Sequence, residues 1–276
     1  GNYSHFARQK QEKAELTDKL IAKQNEKINK LEEYIAKNKC RTATAKQAKS
    51  REKQLAKIEV IEKPEEPPVP NYKFLCESLC ANNIMKVKNL SVGYKNPLLE
   101  NINLFVQNGE KIRINGFNGI GKSTLLKTIL GVIPPLSGKI SRGDFLYPAY
   151  FEQEVKAENT TPIDEIWNAF PGMDQHQVRA ALARCGLKNE HINRPMNQLS
   201  GGEQAKVRLC KLLMEESNWI LFDEPTNHLD IDAKAELKRA LKEYKGTVIL
   251  VSHEPDFYKD WITKEWNVEE WSNRNR

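Results

Sequence analysis

The stretch GFNGIGKS, residues 116–123, fits the spacing G-x-x-x-x-G-K-[ST] and lies between a strand-like KIRIN and a helical TLLKTIL. Glycines at these positions let successive backbone N–H groups turn inward as an anion nest, and the helix that follows presents its positive end to a phosphate chain. Lys122 then reaches the β- and γ-phosphates of a nucleoside triphosphate, and Ser123 offers a hydroxyl to Mg²⁺. A second stretch, NWILFDEP at 218–225, sets four apolar residues ahead of Asp223 and Glu224. At the end of a buried strand Asp223 would face the metal, and Glu224 would polarise an attacking water. A Gly-rich turn or an Asp-Glu helix cap explains either stretch alone. Together they describe a site for transferring a phosphoryl group to water.

Further segments stand around these two in a recognisable order. Gln153 in YFEQE, LSGGEQ at 199–204, NHLD at 227–230 and His253 in LVSHE resemble the Q-loop, signature, D-loop and switch histidine of ATP-binding-cassette (ABC) ATPases. The resemblance implies an α/β, ABC-type nucleotide-binding domain of the P-loop NTPase fold, with ATP and Mg²⁺ as ligands. It implies Glu224, His253, Lys122 and Gln153 as catalytic residues, and Ser123, Gln153 and Asp223 as the metal site. ATP would lie on Gly116, Asn118, Gly119, Gly121, Lys122, Ser123 and Thr124, with Tyr94 of LSVGY stacking on adenine. An ordinary core tyrosine is the competing reading of Tyr94. In this family Ser200, Gly201, Gly202 and Gln204 serve the nucleotide of an opposite cassette, so one cassette is half of two sites.

These residues need a sheet to carry them. From Ile84 onward short β-rich segments (IMKVKNL, INLFV, KIRIN, WILFD, TVILVS) alternate with helical ones, which predicts a mixed α/β sheet with nucleotide at the carboxyl ends of its strands. Ahead of it, residues 5–35 lack Gly and Pro, and Ile21, Ile28 and Ile35 recur every seven residues with Leu16, Leu20 and Leu31 beside them. A second helical stretch over 44–62 offers Leu55, Ile58 and Ile61. The spacing predicts a helical hairpin with its apex near 38–45 and a first arm of about 45 Å. The run KPEEPPVP, 63–70, reads as a semi-rigid linker, so the expected division is 1–70 and 71–276.

The net charge of +6 is concentrated. Residues 37–57 hold Lys37, Lys39, Arg41, Lys46, Lys49, Arg51, Lys53 and Lys57 against Glu52 alone, so the hairpin apex points to a polyanion, while a merely solvated charged helix is the plain alternative. The sequence LFDEPTNHLD resembles the ABC-F subfamily, twin-cassette proteins that act on ribosomes, and the 78 positions from Lys122 to Ser200 are short beside transporter cassettes. GNYSHF at the amino end resembles the close of a first ABC-F cassette, so residues 1–70 would be that end plus the interdomain linker, and 71–276 the second cassette. The resemblance implies ribosomal partners, tRNA and rRNA, for Lys37, Lys39, Arg41, Lys46, Lys49, Arg51 and Lys53, and a first cassette or a second copy of the chain to complete the ATP site. A short apex favours a general translation role over ribosome protection against antibiotics. The ATPase subunit of a membrane transporter is the alternative function.

Composition sets outer limits. With 39% hydrophobic and 29% charged residues, no run reaches the ~20 apolar residues of a bilayer span, and the first residues hold no apolar signal core, so a cytoplasmic protein is expected. Five scattered cysteines without a His cluster predict free thiols; Cys76 and Cys80, four apart, are a poor zinc signal.

Overall fold

No glycine or proline interrupts residues 2–38, and they form one continuous helix, α1 (Asn2–Asn38). The computed structural model describes residues 2–38, 45–55, 58, 68–76, 81–152 and 159–272. They fall into two units, Gly1–Glu66 and Pro67–Arg276. In the first unit, α2 (Ala45–Leu55) packs on the carboxyl-terminal turns of α1. Leu31 and Ile35 are buried there, the Tyr34 hydroxyl donates to Gln47 Oε1 at 2.9 Å, and the Arg51 guanidinium lies 5.6 Å from the Tyr34 ring centroid. The heptad stripe is thus covered only near the hairpin end, while Leu16 and Leu20, farther along α1, are exposed. Ile61 and most of the expected apex fall outside the described residues.

The second unit begins with β1 (Leu75–Cys76), β2 (Asn83–Gly93), β3 (Pro97–Gln107) and β4 (Lys111–Asn115). Next come α3 (Lys122–Leu130), β5 (Ser137–Arg142), β6 (Pro148–Phe151), α4 (Pro162–Ala169), α5 (Gln175–Arg184), α6 (Asn189–Ile192) and α7 (Gly201–Met214). The carboxyl-terminal part holds β7 (Glu216–Ser217), β8 (Trp219–Asp223), α8 (Ile231–Glu243), β9 (Thr247–Val251), α9 (Pro255–Tyr258) and β10 (Lys264–Asn267). Five strands form one all-parallel sheet in the order β10-β4-β9-β8-β6, and β3-β2-β5 form an antiparallel sheet. This is the mixed α/β nucleotide-binding fold that the sequence predicts.

The apolar runs WILFD and TVILV are buried on every residue because a parallel sheet with helices or a second sheet on both faces has no solvent side. Alternation divides them between two cores. Ile220, Phe222, Val248 and Leu250 pack with residues of α4, α5, α7 and α8, whereas Trp219, Leu221, Ile249 and Val251 pack with α3 and the antiparallel sheet. Register fixes the upper edge: Val251 pairs with both Ile114 and Asp223, so β4, β9 and β8 end level with one another. Three connections therefore start side by side, at Gly116, Ser252 and Glu224.

The opposite end of the sheet is tied by a buried lysine. Lys111 Nζ donates to the carbonyls of Tyr244 at 2.8 Å and Gly246 at 2.7 Å and sits 4.8 Å from the Tyr244 ring centroid. Burial pushes its pKa down to about 8, from an ordinary value of 10.5. The folded chain then binds fewer protons here than the unfolded chain between those two values, so this group's contribution to stability rises with pH across that window. Urea unfolding at pH 8 and pH 10 should show a stability gain in the wild type that Lys111→Met lacks; equal pH slopes would contradict the assignment.

Candidate functional site

The loop after β4 is shaped by glycine. Gly121, the residue before α3, has φ of 120°, and a Cβ there would press on Leu98 and Leu99 at 3.4 Å. Asn115 Oδ1 accepts from the Gly116 amide at 2.9 Å and fixes the entry to the loop. Lys122 opens α3 and folds back under the loop: Nζ donates to Gly116 O at 2.6 Å and lies 3.3 Å from Phe117 O and Asn118 Oδ1. Burial lowers its pKa, against the pull of Glu224 and Asp223.

From the neighbouring strand end, Asp223 and Glu224 face the same space. Asp223 is buried at the end of β8, and burial raises its pKa, while a hydrogen bond from the Ser123 hydroxyl and the charge of Lys122 oppose the rise. A hydroxyl and a carboxylate held together are hard oxygen donors of the kind Mg²⁺ takes, so Ser123 and Asp223 fit the metal site. Held there, Mg²⁺ would supply positive charge to neutralise phosphate oxygens. Glu224 has a left-handed backbone, φ 49°, which costs of the order of 1–3 kcal/mol in a residue with a side chain. Its amide donates to Val251 O at 3.0 Å, so the intervening strand holds the strained turn and aims the carboxylate. Burial raises the Glu224 pKa, with Lys122 opposing, which is the direction that makes a carboxylate more basic.

His253 completes the group from the end of β9. Its Nε2 lies 2.9 Å from Lys122 Nζ, 2.8 Å from Asn118 Oδ1 and 3.2 Å from Glu224 Oε1. Burial, then the positive charges of Lys122 and Arg113, depress its pKa, which favours the neutral imidazole. Asn118, Gly119, Gly121, Lys122, Ser123, Thr124, Asp223, Glu224 and His253 all line one pocket of about 560 Å³. The arrangement offers a phosphate cradle, a hard-metal ligand pair, a carboxylate and a neutral imidazole in one cleft.

Other expected residues stand elsewhere. Gly116 lies at the root of the loop, where a Cβ would meet Ile120 and Val268 at 3.4 and 3.5 Å. Tyr94 is 67% exposed, so the core-tyrosine reading fails and its ring is free to be stacked upon. Gln153 lies outside the described residues. Ser200 caps α7 in a box with Glu203, its Oγ donating to Glu203 Oε2 at 2.8 Å. Gln204 Nε2 donates to Met196 O and Leu199 O, both at 3.0 Å, and so braces the approach to that cap. Ser200, Gly201, Gly202 and Gln204 do not line the pocket of their own chain. Instead the start of α7 packs on the 227–230 loop: Lys206 pairs with Asp230 at 2.5 Å, and Gly202 lies against the carbonyl of His228.

Four neighbours of the site escaped the sequence reading. Leu98 and Glu254 also line the pocket, and Arg113 and Asn115 hold the loop and strand ends. Arg113 carried no local signal: a charged residue between Ile112 and Ile114 faces water in a strand with one wet face and must be paired only in a strand covered on both.

Of the basic hairpin residues, Lys37 and Lys53 are exposed, with Lys37 3.7 Å from Glu33, and Arg51 lies over Tyr34. Lys46 and Lys49 are on α2, while Lys39 and Arg41 lie outside the described residues. No described helix is long and apolar enough to cross a membrane, and the described residues contain no cluster of three or more His, Cys, Asp or Glu that could hold a metal ion.

Comparisons with known proteins bear on the family and the fold. A family model described as ABC transporter matches residues 99–227, and a second with the same description matches residues 1–74. The chain is 48% identical over 275 residues to an uncharacterized ABC transporter ATP-binding protein, YfmM, of Bacillus subtilis, covering 99% of this chain and 53% of that protein. It is 37% identical over 272 residues to ABC transporter F family member 2 of Arabidopsis thaliana, covering 96% of this chain and 40% of that one. The chain thus spans about half or less of these relatives' length. In fold it is similar to an ATP-binding cassette solved as a dimer in a post-hydrolysis state with ADP and Pi, with a TM-score of 0.56, 24% identity, and coverage of 67% of this chain and 97% of that one.

The α7 packing yields a direct test. A Cβ on Gly202 would stand 2.5 Å from His228 O, whereas one on Gly201 would sit 3.4 Å from the His228 ring. Gly202→Ala should lower stability by about 1–3 kcal/mol in urea titration, and Gly201→Ala clearly less. Equal effects would mean that the 227–230 loop does not seat on α7.

Proposed function

Because the chain carries an ABC ATPase nucleotide-binding domain behind an amino-terminal helical segment, we propose that it binds and hydrolyses MgATP as the linker and second cassette of an ABC-F protein. The observation that carries the reading is the shared pocket of Lys122, Ser123, Asp223, Glu224 and His253. Glu224, one residue beyond the metal-facing Asp223, takes the proton of the attacking water, and its raised pKa suits a base. Lys122 would turn from the loop carbonyls to the phosphates, His253 would face the γ-phosphate, and Ser123, Asp223 and Gln153 would hold Mg²⁺, which would supply charge neutralisation there. Tyr94 stacks on adenine. Ser200, Gly201, Gly202 and Gln204 stand away from their own pocket, which accords with service to the nucleotide of a second cassette, supplied by the rest of the protein or by another copy.

The same reading gives the amino-terminal unit its role. Two relatives are named as F family members, and the basic residues 37–57 form a concentrated cationic segment suited to ribosomal RNA and tRNA phosphates. Lys37, Lys39, Arg41, Lys46, Lys49, Arg51 and Lys53 neutralise those phosphates with little sequence demand. ATP-bound, closed cassettes set the hairpin against a cytoplasmic ribosome, and hydrolysis releases it. A transporter subunit has no use for this unit.

Glu224→Gln, made in the full-length protein with the equivalent acid of the other cassette, should retain MgATP affinity while turnover falls by about 100-fold or more. A wild-type rate would remove the general base. Lys122→Ala should weaken nucleotide binding itself, and unchanged affinity by calorimetry would sink the phosphate cradle. The doubly substituted acid variant should also co-sediment with ribosomes only with ATP, and neutralising Lys37 to Lys53 should abolish that binding. ATP-independent sedimentation, or none, would overturn the ribosomal role and leave the ATPase standing.

A further inference from the structure

Arg113 is 7% exposed and lies on β4, ahead of the phosphate loop. Its guanidinium makes four contacts. Nε donates to Ser252 O at 3.2 Å, Nη1 to Glu265 Oε1 of β10 at 2.8 Å, and Nη2 to Asn115 Oδ1 at 3.1 Å. The fourth contact is the ring of Tyr258 on α9, 4.1 Å from the guanidinium carbon. Two of these contacts lead straight into the site. Ser252 is the residue before His253, and Asn115 accepts from the first amide of the phosphate loop.

Resting on the ATPase reading above, we propose that Arg113 is a positioning residue that holds His253 in place through the Ser252 carbonyl. β9 ends at Val251, so beyond it no strand pairing fixes the chain. Arg113 supplies the missing restraint from the adjacent strand. By gripping Asn115 with the same guanidinium, it keeps the switch loop and the phosphate loop in one frame, so that His253 Nε2 stays within 2.9 Å of Lys122 and 3.2 Å of Glu224. Its positive charge also favours the neutral imidazole, which the Lys122 ammonium tolerates as a neighbour.

The task requires an arginine. Three acceptors in different directions and a flat aromatic face match a planar fork of donors, whereas a lysine ammonium would serve one or two acceptors and lose the stacking. The buried charge is offset by Glu265, which faces it across β10.

The test uses Arg113→Gln and Arg113→Lys in the full-length protein, with Glu265→Gln as the control that removes the counter-charge but keeps the guanidinium on Ser252. A loosened catalytic frame should lower kcat by about 10- to 100-fold in both arginine variants, with lysine giving no rescue. MgATP affinity should stay within about threefold, and Glu265→Gln should keep most of the turnover. The proton–carbon NMR signal of the His253 imidazole should shift and broaden in both arginine variants. An unchanged kcat, or kcat and affinity falling together with the thermal midpoint, would make Arg113 an ordinary structural residue. Should the unsubstituted protein show no turnover, the ATPase reading falls by itself. The His253 signal then decides: movement supports the role of Arg113, and an unmoved signal overturns it.

Discussion

The level ending of three parallel strands is the constraint on which the site depends. Val251 pairs with Ile114 on one side and Asp223 on the other, so the phosphate loop, the acidic pair and the switch histidine leave the sheet at one height. Slipping any of these strands by one residue would turn its apolar residues to the wrong core and rotate its last side chain away from the cleft. The alternate packing of Ile220 and Phe222 against one core and Trp219 and Leu221 against the other locks the register of β8. Burial of the strands and placement of the chemistry are thus the same fact.

Around that edge the polar groups restrain one another. Lys122, Asn118, His253 and Glu224 lie within hydrogen-bond or ion-pair range as a chain, and the left-handed turn at Glu224 is held by the Val251 carbonyl. Burial lowers the pKa of the lysine and the histidine and raises that of the acids, in each case against the charged form. Farther along the chain, the Asp223–Glu224 turn leads to the 227–230 loop, and that loop is seated on α7 by Gly202 and by the Lys206–Asp230 pair. A shift at the acidic turn therefore has a short, packed route to the start of α7. The hairpin unit is built on a different principle: one long helix held by propensity and partly covered by a short second one, with Tyr34 as the hub that meets Gln47 and Arg51.

Much of this was legible in the residues. The apolar runs of 219–223 and 247–251, the loop 116–123 and the acidic pair lie in contiguous sequence, and local chemistry fixes what each can be. The long helix was legible because nothing in residues 2–38 breaks it, although its extent was set at 5–35. Tyr94 could not be assigned from sequence, since an aromatic residue after a strand can turn either into the core or outward, and only packing decides that it lies outward. Gln204 reads as a contact to an opposite cassette's nucleotide, and the sequence does not show that its Nε2 also donates to the Met196 and Leu199 carbonyls, a local bond that depends on the path of the preceding turn.

The sequence by itself determined the kinds of chemistry present: a glycine loop with the spacing of an anion nest, acids at a strand end, and a basic segment set apart from an α/β domain. Tertiary structure decided which of these meet, because β9 comes late in the chain yet inserts between β4 and β8 and brings His253 up to Lys122, 131 positions away. It also decided that Arg113 is buried. A period of two cannot tell a strand with one wet face from a strand covered on both, and only the sheet order and the layers packed on it settle where that charge must go.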